Sequence, residues 1–163
     1  MISPEEINRR RRELEKQAAS YYGRLKRRPP AGLDDRLQEL DEEVFAGTDC
    51  LACANCCKTL KTVFKERDII RIAASMRMRP ADFVSAYLVT DEDGDYVQKS
   101  LPCPFLAPDN KCNIYEVRPH ACQSYPHTGT LPLKKSWNLI IKNAAVCPAV
   151  HEITLRLKKD FPE

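Results

Sequence analysis

Glycine is scarce in this chain, with 5 in 163 residues, while proline is frequent at 12. That balance disfavours a large sheet and favours short helices joined by stiff loops. No apolar run approaches the roughly 18 residues that a membrane span needs, so none is expected. No apolar stretch follows the charged start, as a secretory leader would require, so the cytoplasm is the expected compartment. No glycine-rich loop follows a strand, which leaves no obvious cradle for a nucleotide or a methyl donor. No repeat is found. No Ser/His/Asp or paired-carboxylate pattern stands out, and no catalytic residue is assigned.

Charge is plentiful but nearly balanced, at 26 Lys and Arg against 23 Asp and Glu, a net of +3. It is unevenly placed. Residues 1–28 carry nine Arg or Lys against four Glu, a net of +5. Residues 33–49 carry seven Asp or Glu against Arg36, a net of −6. Two amphipathic helices fit these stretches. The first runs from 3 to about 28, with Ser3, Pro4 and Glu6 as an N-terminal capping box. Ile7, Leu14, Ala18, Tyr21 and Leu25 form its apolar stripe. The second runs from about 34 to 46, with Leu33, Leu37, Leu40 and Val44 on one face and Gly47 as its stop. Opposite charge suggests that the two form a hairpin with complementary faces. The run Arg9–Arg12 reads as a solvated face, because no aromatic-rich strand accompanies it, and nucleic acid is not expected as a partner. A protein partner docking on this basic helix is the interaction-module reading.

Further helices are expected at about 65–77, from Pro80, and from Pro148 onward. Short extended pieces are expected at 96–100, 112–115 and 136–141. The run Asp91-Glu92-Asp93-Gly94-Asp95 is read as a hairpin turn. A calcium loop would need glycine and glutamate where Tyr96 and Pro102 stand. The expected fold is mainly α with a few short strands. A helical hairpin over 1–47 would precede a small metal-stapled domain over 48–163, the two forming one compact unit.

What the chain has in abundance is cysteine, eight in all. Cys50, Cys53, Cys56 and Cys57 read C-x-x-C-x-x-C-C. Cys103, Cys112, Cys122 and Cys147 follow. Glutathione and thioredoxin keep cytosolic thiols reduced, so this density points to metal rather than disulfides. Eight thiolates make two sets of four, the number that zinc and iron–sulfur centres take. All eight are therefore candidate metal ligands, for one or two centres of zinc or iron. Cys50, Cys53 and Cys56 have the spacing of a bacterial ferredoxin run, and Cys103-Pro104 and Cys147-Pro148 supply remote Cys-Pro pairs. Position 60, where that run would place its next cysteine, is Leu60, so a cluster must take a fourth ligand from elsewhere. Cys56 and Cys57 point about 100° apart on a helix, so only a strained turn would bring both to one ion. Two neighbouring centres, or one redox-active spare thiol, are the alternatives. His120 and His127 are possible additional ligands. Arg118 could hold a cluster thiolate or an acidic partner, but pairing with a carboxylate such as Glu116 or Asp109 is the favoured expectation, and Asp68 is expected to lie on a helix surface or cap its start.

These residues carry a resemblance. Cys50-x-x-Cys53-x-x-Cys56-Cys57, then Pro102-Cys103-Pro104-Phe105-Leu106, then Cys112-x-Ile114-Tyr115-x-x-Arg118-Pro119-x-x-Cys122-x-x-Tyr125-Pro126 together resemble the YkgJ-type cysteine cluster proteins. That family is named for its CxxCxxCC motif and described as zinc- or iron-chelating. The match covers about 50–127 and extends toward Cys147, leaving the basic N-terminal helices outside. Gln123 stands where an arginine often follows the cysteine. The resemblance implies metal chelation by the matched cysteines. A related arrangement in flagellin lysine methylases suggests an iron–sulfur centre and a link to protein modification, as the alternative reading.

Overall fold

A computed structural model describes residues 1–129 and 132–162. In chain order it has α1 (Pro4–Arg9), α2 (Arg11–Arg27), α3 (Leu33–Ala46), α4 (Cys50–Cys53), α5 (Asn55–Thr59), β1 (Val63–Phe64) and α6 (Glu66–Ser75). Then come α7 (Pro80–Tyr87), β2 (Leu88–Thr90), β3 (Tyr96–Gln98), a 3-10 turn (Tyr115–Val117), α8 (His120–Gln123), α9 (Leu133–Ala144) and α10 (Pro148–Asp160). The fold is mainly α with a small sheet, as expected. The chain forms two compact units, one of residues 1–49 and 126–163, the other of residues 50–125.

The first unit is helical. Ser3 caps α1 by accepting a hydrogen bond from the Glu6 amide, and Pro4 opens the helix. The single helix read over 3–28 is broken at Arg10, whose backbone leaves helical geometry (ψ 9°). The predicted stripe holds regardless: Ile7, Leu14, Ala18, Tyr21 and Leu25 are all buried, and Tyr22 joins them. Gly32 has φ +73°, a left-handed turn that favours glycine, and α3 starts directly after it. Leu33, Leu37, Leu40 and Val44 are buried as their spacing required. Within this unit α2 packs against α9, and α3 against α10. Its ion pairs follow that pairing, with Arg36 to Asp160 at 2.7 Å and Arg156 to Glu43 at 3.4 Å. Among the described residues, none joins the basic α2 to the acidic α3. At the centre the buried Tyr22 hydroxyl meets the Thr154 hydroxyl at 2.9 Å, and its ring stands edge-on to Trp137.

Two strand assignments are corrected. Residues 112–115 are not extended: Cys112 makes a single bridge, 113 and 114 turn, and Tyr115 opens the 3-10 turn. Residues 136–141 are helical, inside α9. Trp137, Leu139 and Ile141 alternate like a strand, but Leu139 is 41% exposed while Leu133, Trp137, Ile140 and Ala144 are buried. Those four recur at four, three and four, the helical period, and this longer pattern outweighs the short alternation.

The second unit combines helices with a three-stranded antiparallel sheet in the order β1-β3-β2. Val63 faces Val97, and Val89 faces Val97 from the other side. The acidic run 91–95 is the β2–β3 turn, closed by the Asp91 carboxylate accepting from the amides of Asp93 and Asp95. Phe64, Ile69, Ile72, Phe83, Leu88, Phe105 and Ile114 form the core of this unit, with Phe83 stacked on Phe105 at 5.9 Å. Cys103 and Cys112 pack against that core.

Candidate metal centre

Seven of the eight cysteines lie in the second unit. Cys50 and Cys53 open and close the single turn α4, with Cys50 exposed and Cys53 half-buried. The chain then reverses at Ala54, a buried non-glycine residue at φ +46°, in the left-handed region. That turn starts α5, which carries Cys56 and Cys57. Their sulfurs lie 4.0 Å apart although the residues are adjacent. The edge of a tetrahedral site with bonds of about 2.3 Å is close to that, roughly 3.8 Å. Both residues sit inside α5, so this approach is made within a helix and not through a strained turn between them.

Three other segments are tied to this knuckle. The Cys103 amide donates to the Cys57 carbonyl at 2.9 Å. The loop from Cys103 to Cys112 folds back on itself, with Leu106 bridged to Cys112 and the Asn113 amide bonded to the Phe105 carbonyl. At its tip the Asn110 side chain donates to the Ala52 carbonyl in α4 at 3.0 Å. The piece 60–62 after α5 is held by Gln98, which is 1% exposed: its oxygen accepts from the Thr62 amide at 2.7 Å and its nitrogen donates to the Leu60 carbonyl at 2.8 Å. Thr62 in turn touches the Cys122 sulfur through its hydroxyl, at 3.6 Å.

Cys122 sits on α8, and Asp68 fixes the start of that helix. Asp68 is 1% exposed, and its carboxylate accepts from the Lys65 amide, the Arg71 guanidinium and the His120 amide. Arg71 also donates to the Arg118 carbonyl at 3.0 Å. Asp68 caps α6 as the sequence allowed, but it is a buried junction and not a surface residue. Its spacing to Lys65 signals the cap; its bond to His120, 52 positions away, has no local signature.

Cys57, Cys103, Cys112 and Cys122 form one electrostatic group. Cys103 feels Cys57 and Cys112, and Cys122 feels Cys57, Cys103 and Cys112. All four are half-buried. The Cys57 thiol is pushed far up, first by its hydrogen bond with Cys56 and then by burial. Burial raises Cys103 and Cys112, and it pushes Cys122 up to about 11 against the offsetting Thr62 contact. Crowded thiolates repel and are poorly solvated here, so protons stay on until a cation replaces them. Among the described residues no three His, Cys, Asp or Glu side chains already stand in a coordination sphere. Metal would have to draw the sulfurs inward. The donor set itself fits zinc or iron, being all thiolate and partly shielded.

Cys147 lies in the other unit, where it is buried and immediately precedes α10. His127 and His151 also belong to that unit, and His120 is exposed on α8. All eight cysteines are thiols, with no disulfide among the described residues. Arg118 does not take the expected carboxylate: it lies over the Tyr115 ring, and Asp109 pairs with Lys111.

A family model matches residues 49–148, the family described as "CxxCxxCC: Putative zinc- or iron-chelating domain". The match spans more than half of the chain, and the chain belongs to that family. No curated protein and no solved structure matches it at a significant score. Among the described residues no helix is long and apolar enough to cross a membrane.

Proposed function

We propose that the second unit is a metal-holding module in which Cys57, Cys103, Cys112 and Cys122 bind one zinc or iron centre. The observation that carries this is the tying of separate segments to one knuckle: the Cys103 amide bonds the Cys57 carbonyl at 2.9 Å, Leu106 bridges Cys112, and the Cys122 sulfur meets Thr62 at 3.6 Å. Bound metal would replace their protons and join α5, the 103–112 loop and α8. Cys56 stands at the edge of this group through its 4.0 Å approach to Cys57.

Cys50, Cys53 and Cys56 keep the ferredoxin-type spacing, and the exposure of Cys50 favours a second, more accessible centre there. An iron–sulfur cluster with a redox role is the reading that this exposure supports. Cys147 enters as the eighth thiolate of the ligand set read from the sequence. Loss of metal in Cys147→Ser would include it, and unchanged content would leave it a packing residue of its helical unit.

The test is metal and acid-labile sulfide analysis, with an absorption spectrum, on protein purified without oxygen. Colourless protein with zinc supports closed thiolate sites. Brown protein with iron and sulfide supports the cluster. Protein that takes up neither metal ends the proposal.

A further inference from the structure

A divalent ion with four thiolates carries a net charge of −2, and partial burial makes that charge costly unless cations lie nearby. Two do. Arg118 lies between Cys112 and Cys122 in sequence, with its guanidinium 3.9 Å above the Tyr115 ring and donating to the Tyr115 carbonyl at 2.7 Å. The Tyr115 amide in turn bonds the Cys112 carbonyl at 3.1 Å. The Arg118 backbone is clamped as well, because its carbonyl accepts from Arg71 and from Gln123. A ring and a carbonyl therefore hold this cation. Among the described residues no carboxylate pairs with it. Its charge acts on the Cys112 thiol in the direction that favours thiolate.

Lys58 is the second cation. It follows Cys57 directly, is exposed, and its ammonium reaches the Cys53 carbonyl at 3.4 Å. Its charge favours the Cys57 thiolate, and it too has no carboxylate partner among the described residues. Fixing a cation without an anion beside it stabilises little by itself. It becomes useful once a negative group is created nearby.

We propose that Arg118 and Lys58 are the counter-cations of the thiolate centre, offsetting its −2 charge and setting its metal affinity. This rests on the reading that Cys57, Cys103, Cys112 and Cys122 hold the metal. Neither cation touches the ion; both act through the sulfurs.

The test is zinc affinity of the full chain, measured by competition with a chromophoric chelator, for wild type, Arg118→Met, Arg118→Lys and Lys58→Met. Arg118→Met and Lys58→Met should each weaken binding by about tenfold, a Coulomb effect of the size expected near a protein surface. Arg118→Lys keeps the charge and should stay within about threefold. The gap for the exposed Lys58 should narrow in about 0.5 M salt. Two results overturn the proposal: both neutral variants binding like wild type, or Arg118→Lys falling as far as Arg118→Met. The latter would assign the effect to the guanidinium's hydrogen bond and not to its charge. Lys58→Met carries the test should Arg118→Met fail to fold. Wild type that binds no zinc or iron would instead overturn the underlying metal reading.

Discussion

Replacing Asp68 by alanine should be among the most damaging single changes in the second unit. The carboxylate is 1% exposed and satisfies three donors: the Lys65 amide at 3.2 Å, Arg71 at 2.8 Å and the His120 amide at 3.3 Å. The first bond caps α6, a contribution of about 1 kcal/mol. The Arg71 bond is charge-assisted, for which about 1.5–3 kcal/mol is usual, and the low end applies because Arg71 is 39% exposed. The His120 bond is long, and about 0.5–1 kcal/mol is reasonable for it. The total is about 3–3.5 kcal/mol. Asp68→Asn keeps one acceptor and should lose about half. Hydrogen exchange of the α6 and α8 amides is the assay, because it reports on this unit directly. Protection in both helices should fall by about two orders of magnitude in Asp68→Ala. Loss confined to the first turn of α6 would show that Asp68 is only a cap, and unchanged protection would refute the reasoning. Since α8 carries Cys122, zinc affinity should weaken alongside.

Cys112→Ser should lose the proposed centre and lower the urea midpoint of the second unit; full metal content in this variant would contradict the four-thiol assignment. The metal-free protein should weaken as pH rises. Thiols whose folded pKa lies above the unfolded value stabilise fully below the unfolded value of about 8.5 and cease to as pH climbs toward the folded one, about 11 for Cys122. Urea titrations of metal-free protein at pH 7, 9 and 10.5 check this, and a flat profile counts against it. At pH 7 zinc binding should release about four protons per centre, measurable by calorimetry in buffers of different ionisation enthalpy. Gln98→Ala should cost about 2 kcal/mol, because it leaves the Thr62 amide and the Leu60 carbonyl unpaired beside the knuckle. Unchanged stability there would mean that water replaces the side chain.

Helical periodicity made much of the fold legible. Ile7 to Leu25 and Leu33 to Val44 repeat over enough turns to define a buried face, and the cap at Ser3 is local. The 136–141 segment misled because three alternating residues satisfy a strand template within too short a window. The partners of α2 and α3 were not legible either. Charge complementarity pointed to each other, while burial of Tyr22, Trp137 and Leu157 selected α9 and α10, and shape over many residues outweighs exposed charge. The candidate site was legible as a list of thiols. The proposed grouping was not, because it depends on Gln98, Asp68 and Asn110 tying loops that lie tens of residues apart. The left-handed turn at Ala54 left no sign, since alanine rarely adopts it.

The helical unit is assembled from both flanks of the metal-holding one, and this matters while the chain is being made. Residues 50–125 leave the ribosome as one unbroken stretch, so Cys57, Cys103, Cys112 and Cys122 can meet as soon as Tyr125 has emerged. At that moment α2 and α3 still lack α9 and α10, which lie within about the next 40 residues and arrive roughly 2–8 s later at ordinary elongation rates. During that interval the leucines of α3 and the tyrosines of α2 are uncovered. Metal supply in a growing cell would thus act on a nascent chain whose 50–125 unit is complete before its helical one.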